Sequence, residues 1–161
     1  MVRLGGEGRL VGVDTTSLHP QSLRQLPSVG YQRALSAEGV LSLRPDILIG
    51  SEEMGPPPVV AQIAAAGVRV ESLSAKPDLA TLERNVLRLG ELLGVPAQAR
   101  EQMAVYRQQL QDLAQWVAEA QRTQAPPRVL MLLGHAGSNL MAAGQGSLCL
   151  LYTSDAADER S

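Results

Sequence analysis

Short apolar runs alternate with helical patterns in the first 73 residues of the chain. The runs "GRLVGVD" (8–14), "DILIG" (46–50) and "VRVESL" (68–73) have the length and composition of buried strands. Between the last two, "PPPVVAQIAAAG" begins with prolines, which favour a helix start, and ends on a glycine, which favours a helix stop. An order of strand, helix and strand predicts right-handed parallel crossovers, so we expect an α/β lobe.

A short helix is predicted just before the second of these strands. Ser36 stands at the N-cap of a helix over residues 37–43, and Glu38 falls in its first turn. Pro45 disfavours helical geometry at Arg44, so the helix must end there.

The pattern becomes purely helical after residue 77. In "DLATLERNVLRLGELLGV" the apolar residues recur three or four apart and form one stripe. A longer pattern then runs from Pro96 to about Thr123, and at 1.5 Å per residue this helix is about 40 Å long. The run "RVLMLLG" (128–134) restarts as a strand, and "HAGSNLMAAGQG" (135–146) follows as a loop.

These elements indicate two α/β lobes joined by one long helix. We assign residues 1–95 to the first lobe, 96–124 to the helix, and 125–148 to the start of the second lobe. The last segment, "CLLYTSDAADERS" (149–161), departs from this pattern and resembles translated read-through of a sequencing adapter, so we expect it to be non-native. No charged start, apolar middle and small-residue cleavage site is visible near Met1, so we expect no signal peptide in this chain.

Composition excludes several functional classes. With 45% hydrophobic and 19% charged residues, the chain is typical of a globular protein. A net charge of -2 gives no basic footprint for nucleic acid. There is no Gly-x-Gly-x-x-Gly, no phosphate-binding loop with lysine, no cysteine pair with zinc spacing and no Gly-x-Ser-x-Gly, so no enzymatic machinery is visible.

One aromatic residue is placed in a predicted loop although Phe, Trp and Tyr make up only 2% of the chain. Ligands bind at the carboxyl ends of strands in open α/β sheets, and Tyr31 lies on the connection that leaves the first predicted strand. Its ring can pack on the lobe with the hydroxyl bonded to backbone, or its phenolate can bind ferric or heme iron. Arg33 is close enough in sequence to favour that anion.

Other candidates lie near the same predicted edge, and each also has a purely structural interpretation. His135 directly follows a predicted strand, where it can bind a ligand or simply make hydrogen bonds in a loop. Met54 and Met141 offer adaptable apolar surfaces, for a ligand or for packing. Glu52 and Glu53 have no basic neighbour in sequence, so we expect them to be solvated or available to a partner.

The segment "VGYQRALSAEGVLSLRPDILIGSEEMGPP" (29–57) resembles the periplasmic heme-binding proteins that feed bacterial heme ABC importers. The likeness extends from "LGGEGRLVGVD" to "LMLLGHAGSNLMAAGQG", and "VGY-x-R-x-LSAEG-x-LSLRPD" is specific to the heme branch. The strand followed by "RPD" would also fit relatives that bind siderophores or cobalamin, and these remain alternatives. An α/β enzyme fragment of the chelatase kind is a third possibility, which would need an acid–base pair in the cleft.

The resemblance implies a class III periplasmic binding protein: two Rossmann-like lobes joined by one rigid helix, here without the first strand and helix of the first lobe and without most of the second lobe. It implies that Tyr31 is the axial ligand of heme iron, steadied by Arg33. The other implied heme contacts are His135 (a possible second iron ligand), Met54, Asn139 and Met141. The transported ligand would be heme b, and the partners an inner-membrane permease and its ATPase. The whole protein would be periplasmic, monomeric and non-enzymatic.

Overall fold

Two parallel strands with a helix between them form the centre of the N-terminal part of the chain. The computed structural model describes residues 1–125, 132–136 and 139–142. Short 3-10 turns span Val2–Leu4, Glu7–Arg9 and Gln21–Gln25. The helices and strands are α1 (Ala37–Ser42), β1 (Ile47–Ser51), α2 (Pro57–Ala65), β2 (Arg69–Leu73), α3 (Leu79–Leu93), α4 (Pro96–Gln121), β3 (Leu132–Ala136) and β4 (Asn139–Ala142).

Strands β1 and β2 pair in parallel, with Ile47 opposite Arg69 and Ser51 opposite Leu73. Helix α2 makes the connection between them and starts on prolines, as the sequence predicts. Gly67 follows that helix with a φ of 92°, a left-handed backbone that favours glycine. The predicted α/β unit is therefore confirmed in this part of the chain.

The apolar core lies between one face of this sheet and helices α1 and α2. Its buried members are Ala37, Val40, Ile63 and Val68, and Leu48 and Val70 of the strands pack against them. The N-cap prediction is confirmed, because the Ser36 hydroxyl accepts a 3.2 Å hydrogen bond from the Gly39 amide.

Helix α3 is joined to β2 by hydrogen bonds on the side of the sheet that faces away from the core. Neighbouring side chains of a strand point to opposite faces, so Glu71 faces away from the core to which Val70 belongs. There the Arg88 guanidinium of α3 donates two hydrogen bonds to the Glu71 carboxylate, at 2.5 and 2.9 Å. These charge-assisted bonds lower the pKa of Glu71 below its ordinary value. These two hydrogen bonds hold α3 against β2.

Helix α4 packs against α3 and extends well beyond it. It has 26 residues and is therefore about 39 Å long, which confirms the predicted long helix. Its first half is anchored by Ala99 and Met103, which are both buried. Its second half carries exposed apolar side chains, among them Leu113, Trp116 and Val117. Within the described residues, no helix combines the length and apolar character that a membrane span requires.

The strand predicted over 8–14 is wrong. Residues Glu7–Arg9 form a 3-10 turn, and only Val13 makes a β-bridge, in parallel to Ser28. The Val13 amide donates to the Pro27 carbonyl at 3.0 Å, and the Val13 carbonyl accepts from the Val29 amide at 2.9 Å. A β-strand needs a neighbouring strand that pairs with several of its residues. In this apolar segment only Val13 is paired, and only on one side.

The predicted strand over 128–134 is confirmed at residues 132–134, and the loop predicted after it is wrong. Residues 128–131 lie outside the described residues, and β3 covers Leu132–Ala136, so His135 is inside a strand. Asn139 and Met141 lie in β4, which pairs with β3 in antiparallel fashion. The overlooked signal is a second apolar run, which starts at Asn139 and lies close enough in sequence to pair with the first. The predicted non-native tail, 149–161, also lies outside the described residues.

Candidate ligand-binding site

Tyr31 lies at the start of a tight turn that leaves the Val13–Ser28 bridge. Gly30 precedes it with a φ of 90°, which a side chain would disfavour. The Gly30 carbonyl accepts a hydrogen bond from the Thr15 amide at 3.0 Å, and the Tyr31 carbonyl accepts one from the Ala34 amide at 2.8 Å. The turn is thus held at both ends by backbone bonds.

The Tyr31 turn is joined to the loop that follows β1. The Gly55 amide donates to the Gln32 carbonyl at 2.9 Å, and the Leu35 amide donates to the Gly55 carbonyl at 2.8 Å. The Ser51 hydroxyl adds a 3.2 Å bond to the Gln32 side-chain oxygen. Because Ser51 ends β1, these bonds place the turn at the carboxyl end of the sheet, where open α/β sheets bind ligands.

The Tyr31 side chain points outward from this platform. It is 45% exposed, although large aromatic side chains are usually well buried. Within residues 1–125, no hydrogen bond to its hydroxyl is formed. The interpretation of Tyr31 as a packed ring with a bonded hydroxyl therefore loses support, and a phenol that can meet a ligand remains.

Arg33 forms an ion pair with Glu53 across the two loops. Its guanidinium nitrogen lies 2.5 Å from the Glu53 carboxylate oxygen, and both side chains are about half exposed. The pKa of Arg33 is raised, first by the hydrogen bond and charge of Glu53 and then by the negative charge of an ionised Tyr31. The direct partner of Arg33 is therefore Glu53.

Both glutamates are exposed, as expected, and each also has a partner within the chain. Glu53 pairs with Arg33, which is 20 residues away in sequence. Glu52 accepts from the Ala75 amide at 3.0 Å and from the Ser74 hydroxyl at 3.3 Å. These contacts span 20 or more residues, so inspection of neighbouring positions in the sequence could not find them.

Met54 lies beside a cleft of about 910 Å³ that follows the edge of β1. Four consecutive residues, 47–50, line one side, and residues 10–14 line the other. Since consecutive strand residues face opposite ways, the cleft borders the edge of the strand and not a face of the sheet. Gln32 and Met54 contribute to the lining, while Tyr31 stands outside it. The Met54 sulfur packs over Gly50, where a Cβ would lie only 2.7 Å away.

The remaining predicted contacts lie on the hairpin. His135 is opposite Leu140, and Asn139 is opposite Ala136, in the β3–β4 ladder. Met141 is opposite Gly134. The structure thus brings Tyr31, Arg33 and Met54 together on adjacent loops, while the roles of His135, Asn139 and Met141 stay predictions. In the part of the chain that the structure describes, no cluster of three or more His, Cys, Asp or Glu residues could hold a metal ion by itself.

The fold and this loop arrangement define a class of protein. A family model described as periplasmic binding protein matches residues 1–157, and the chain belongs to that family. The parallel sheet followed by one long helix agrees with the class III fold that the sequence predicts.

Several solved structures of periplasmic heme-binding proteins are similar to this chain. A periplasmic heme-binding protein from Pseudomonas aeruginosa is 62% identical, with a TM-score of 0.86 over 91% of this chain and 53% of that one. The periplasmic heme-binding protein BhuT, solved with two hemes, is 39% identical, with a TM-score of 0.79 over 87% of this chain and 53% of that one. HutB of Vibrio cholerae, also a periplasmic heme-binding protein, is 35% identical, with a TM-score of 0.78 over 91% and 55%.

The chain spans about half the length of these solved relatives. No curated protein matches it. The resemblance to periplasmic heme-binding proteins is confirmed, and the identity of 62% to one of them exceeds the likeness expected from a shared fold alone.

Proposed function

We propose that this chain is part of the heme-binding component of a bacterial heme ABC importer, with Tyr31 as the axial ligand of the iron. The observation that carries the proposal is the exposed Tyr31 phenol on a turn fixed to the carboxyl end of β1. Support comes from the family to which the chain belongs and from three heme-binding relatives. The family consists of transport components, so the proposed role is carriage without chemical change of the ligand.

The residues of the site suit this role. A phenolate oxygen is a hard donor, and tyrosine is one of the axial ligands that proteins use for heme iron. Bound ferric iron would favour the phenolate form of its ligand, and Arg33 lies on the same turn, two residues from Tyr31. Gln32, Ser51 and Gly55 hold the turn rigid, so little conformational entropy is lost when the ligand binds. His135, Asn139 and Met141 would contact the heme from the second lobe.

The domain organisation is part of the same proposal. Residues 1–95 would form the first lobe, 96–124 the rigid connection and 125–148 the start of the second lobe. Two features support the boundary between residues 95 and 96. Helix α3 ends before Gly94, whose backbone is left-handed with a φ of 73°, and α4 starts at Pro96. Localisation in the periplasm and delivery to a permease with its ATPase follow from the family and are proposed for the whole protein, as a monomer.

Two other ligand classes are the alternatives. A carrier of siderophore iron or of cobalamin would share this fold, and titration of the chain with each ligand beside hemin distinguishes them. A chelatase-like enzyme would insert metal into a free porphyrin, so turnover of metal-free porphyrin would favour it. The exposed phenol at the edge of the sheet favours an iron porphyrin, because a phenol is a good ligand for ferric iron.

The deciding experiment is a hemin titration of the chain and of Tyr31→Phe, followed by absorption spectroscopy. We expect the ferric tyrosinate bands in the unaltered chain and their loss in Tyr31→Phe. Tyr106→Phe is the matched control, since Tyr106 lies on α4 and its loss removes a phenol elsewhere. Retention of the tyrosinate bands in Tyr31→Phe, or their loss in Tyr106→Phe, would reject the role of Tyr31.

A further inference from the structure

We infer that the cleft beside β1 binds an extended apolar peptide as an additional β-strand, supplied by the part of the full-length protein that lies outside this chain. Residues 10–14 line one side of this cleft of about 910 Å³ and residues 47–50 line the other, so two lengths of backbone face the same space. Tyr31 does not line it. The inference concerns a second surface and goes beyond the proposed function.

The outer edge of β1 has backbone groups without a partner. In a parallel pair, alternate residues of a strand make the hydrogen bonds to its neighbour. The Glu52 amide donates to the Leu73 carbonyl at 2.8 Å, so the even-numbered residues of this stretch bond to β2. Ile47 and Ile49 therefore direct their N–H and C=O groups away from β2 and toward the cleft. Within residues 1–125, neither of them bonds to any other segment.

The opposite side of the cleft has free backbone groups as well. Val13 uses both its amide and its carbonyl to bond to the segment on its other side. Successive residues of an extended chain turn opposite ways, so Gly12 and Asp14 direct their amides toward the cleft. In the described part of the chain, neither amide forms a backbone hydrogen bond. A strand between the two sides would pair with both, and residues 10–14 would gain the neighbour that a strand requires.

The side chains also favour a strand in the cleft. Strand β1 contains no charged residue and no proline, whereas β2 carries Arg69 and Glu71. Exposed sheet edges usually carry charges or proline, which prevent pairing with other chains. Every residue of β1 is only partly buried, although uncharged strands of parallel sheets are usually covered by other elements. The cleft is lined by apolar side chains, among them Leu10, Val13, Leu43 and Ile47.

The remainder of the full-length protein is the source of the strand that fits these observations. The chain spans 53% of the heme-binding protein from Pseudomonas aeruginosa, so a comparable length of polypeptide lies outside it in that relative. A segment of the same polypeptide has a high effective concentration at the cleft, which favours it over other molecules. A sheet of two strands is marginally stable, and a third strand would add to its stability.

The test is amide hydrogen exchange of the chain, measured by NMR, with and without a synthetic peptide. The peptide has five alternating valine and isoleucine residues, the length of β1, between lysines that keep it in solution. In the chain alone, the amides of Ile47 and Ile49 should exchange faster than those of Leu48 and Gly50, which bond to β2. With the peptide, exchange at Ile47 and Ile49 should slow by about tenfold, because both amides gain an acceptor.

The matched control is the same peptide with N-methylated backbone amides. It keeps the apolar side chains and loses the N–H donors, so it should leave exchange at Ile47 and Ile49 unchanged. A pair of variants tests the chain itself. Ile49→Pro removes the N–H that faces the cleft and keeps the bonds to β2, so it should abolish peptide binding. Ile49→Ala loses the same side chain but keeps the N–H, and it should still bind the peptide. If Ile49→Pro fails to fold, the N-methylated peptide still decides.

Three outcomes would overturn the inference. Equal protection of Ile47 and Ile49 by both peptides would show a site for apolar molecules in general. Protection of these amides in the chain alone would show that a second copy or another segment of this chain fills the cleft, and sedimentation would distinguish the two. Unchanged exchange with the unmodified peptide would show that no strand is added. None of these measurements involves hemin, so their outcome is independent of the role of Tyr31.

Discussion

Substitution of Gly90 by alanine should push α4 away from α3 and destabilise the chain. Gly90 is buried on α3 where α4 begins, and Ala99 of α4 is fully buried against it. A Cβ added at Gly90 would lie 2.4 Å from the Ala99 Cβ and 3.3 Å from the Val95 carbonyl oxygen. Carbon atoms in favourable contact lie about 3.5–4.0 Å apart, so the two helices must move by about 1 Å.

Two opposing effects decide whether Gly90→Ala raises or lowers the free energy of unfolding. Alanine is about 1 kcal/mol better than glycine inside a helix, which would stabilise α3. Overpacking of a well-packed contact costs about 1–3 kcal/mol. The atoms facing Gly90 belong to a one-carbon side chain and to backbone, and neither can rotate away, so the upper end of that range applies. The net loss in the free energy of unfolding should be about 2 kcal/mol, which corresponds to a fall in Tm of about 4–8 °C in a chain of this size.

The measurement is urea and thermal unfolding followed by circular dichroism. Gly39→Ala is the control, because Gly39 is also helical and a Cβ there would meet nothing closer than 3.5 Å. That variant should be unchanged or slightly more stable. Gly90→Ala combined with Ala99→Gly removes the clashing Cβ and should recover part of the loss. A Gly90→Ala variant as stable as Gly39→Ala would refute the close contact between α3 and α4.

Two further predictions concern the packing of the helices. The pKa of Glu71 is lower in the folded chain than in the unfolded chain. The Arg88–Glu71 ion pair should therefore stabilise the chain at neutral pH. This stabilisation should be lost as the pH falls below the ordinary carboxyl pKa of about 4.3. Urea unfolding of Glu71→Gln should then depend less on pH in that acidic range, and an unaltered pH dependence would contradict this ion pair. The single tryptophan, Trp116, is 68% exposed on α4, so its fluorescence should resemble that of tryptophan in water and be readily quenched by acrylamide. A blue-shifted, protected emission would show that another surface covers this half of α4.

The regular elements could be predicted because their signals are local. Pro45 sets the end of α1 through the residue before it, and Arg44 indeed leaves the helix with a φ of 49°. The apolar repeat from Pro96 gave α4 to within a few residues. Such patterns depend on contacts one turn away, so the sequence contains them directly.

The errors arose where the structure depends on a partner segment. The apolar run at 8–14 has the composition of a strand, but a strand forms only where a continuous backbone neighbour exists, and here only Val13 has one. The run from Leu132 and the run from Asn139 each find a partner in the other, which the apolar pattern of either one alone does not reveal.

In the candidate site, too, the local features could be predicted from the sequence and the long-range contact could not. An exposed tyrosine next to a glycine in a predicted loop was visible in the sequence, and so was an arginine two residues later. The partner of that arginine was not, because the Arg33–Glu53 contact exists only after β1 and α2 have folded and brought residues 51–55 against the Tyr31 turn. The candidate iron ligand can thus be proposed from the sequence, whereas the partner of Arg33 depends on how two loops meet. The Arg33–Glu53 ion pair is for that reason a property of the folded chain.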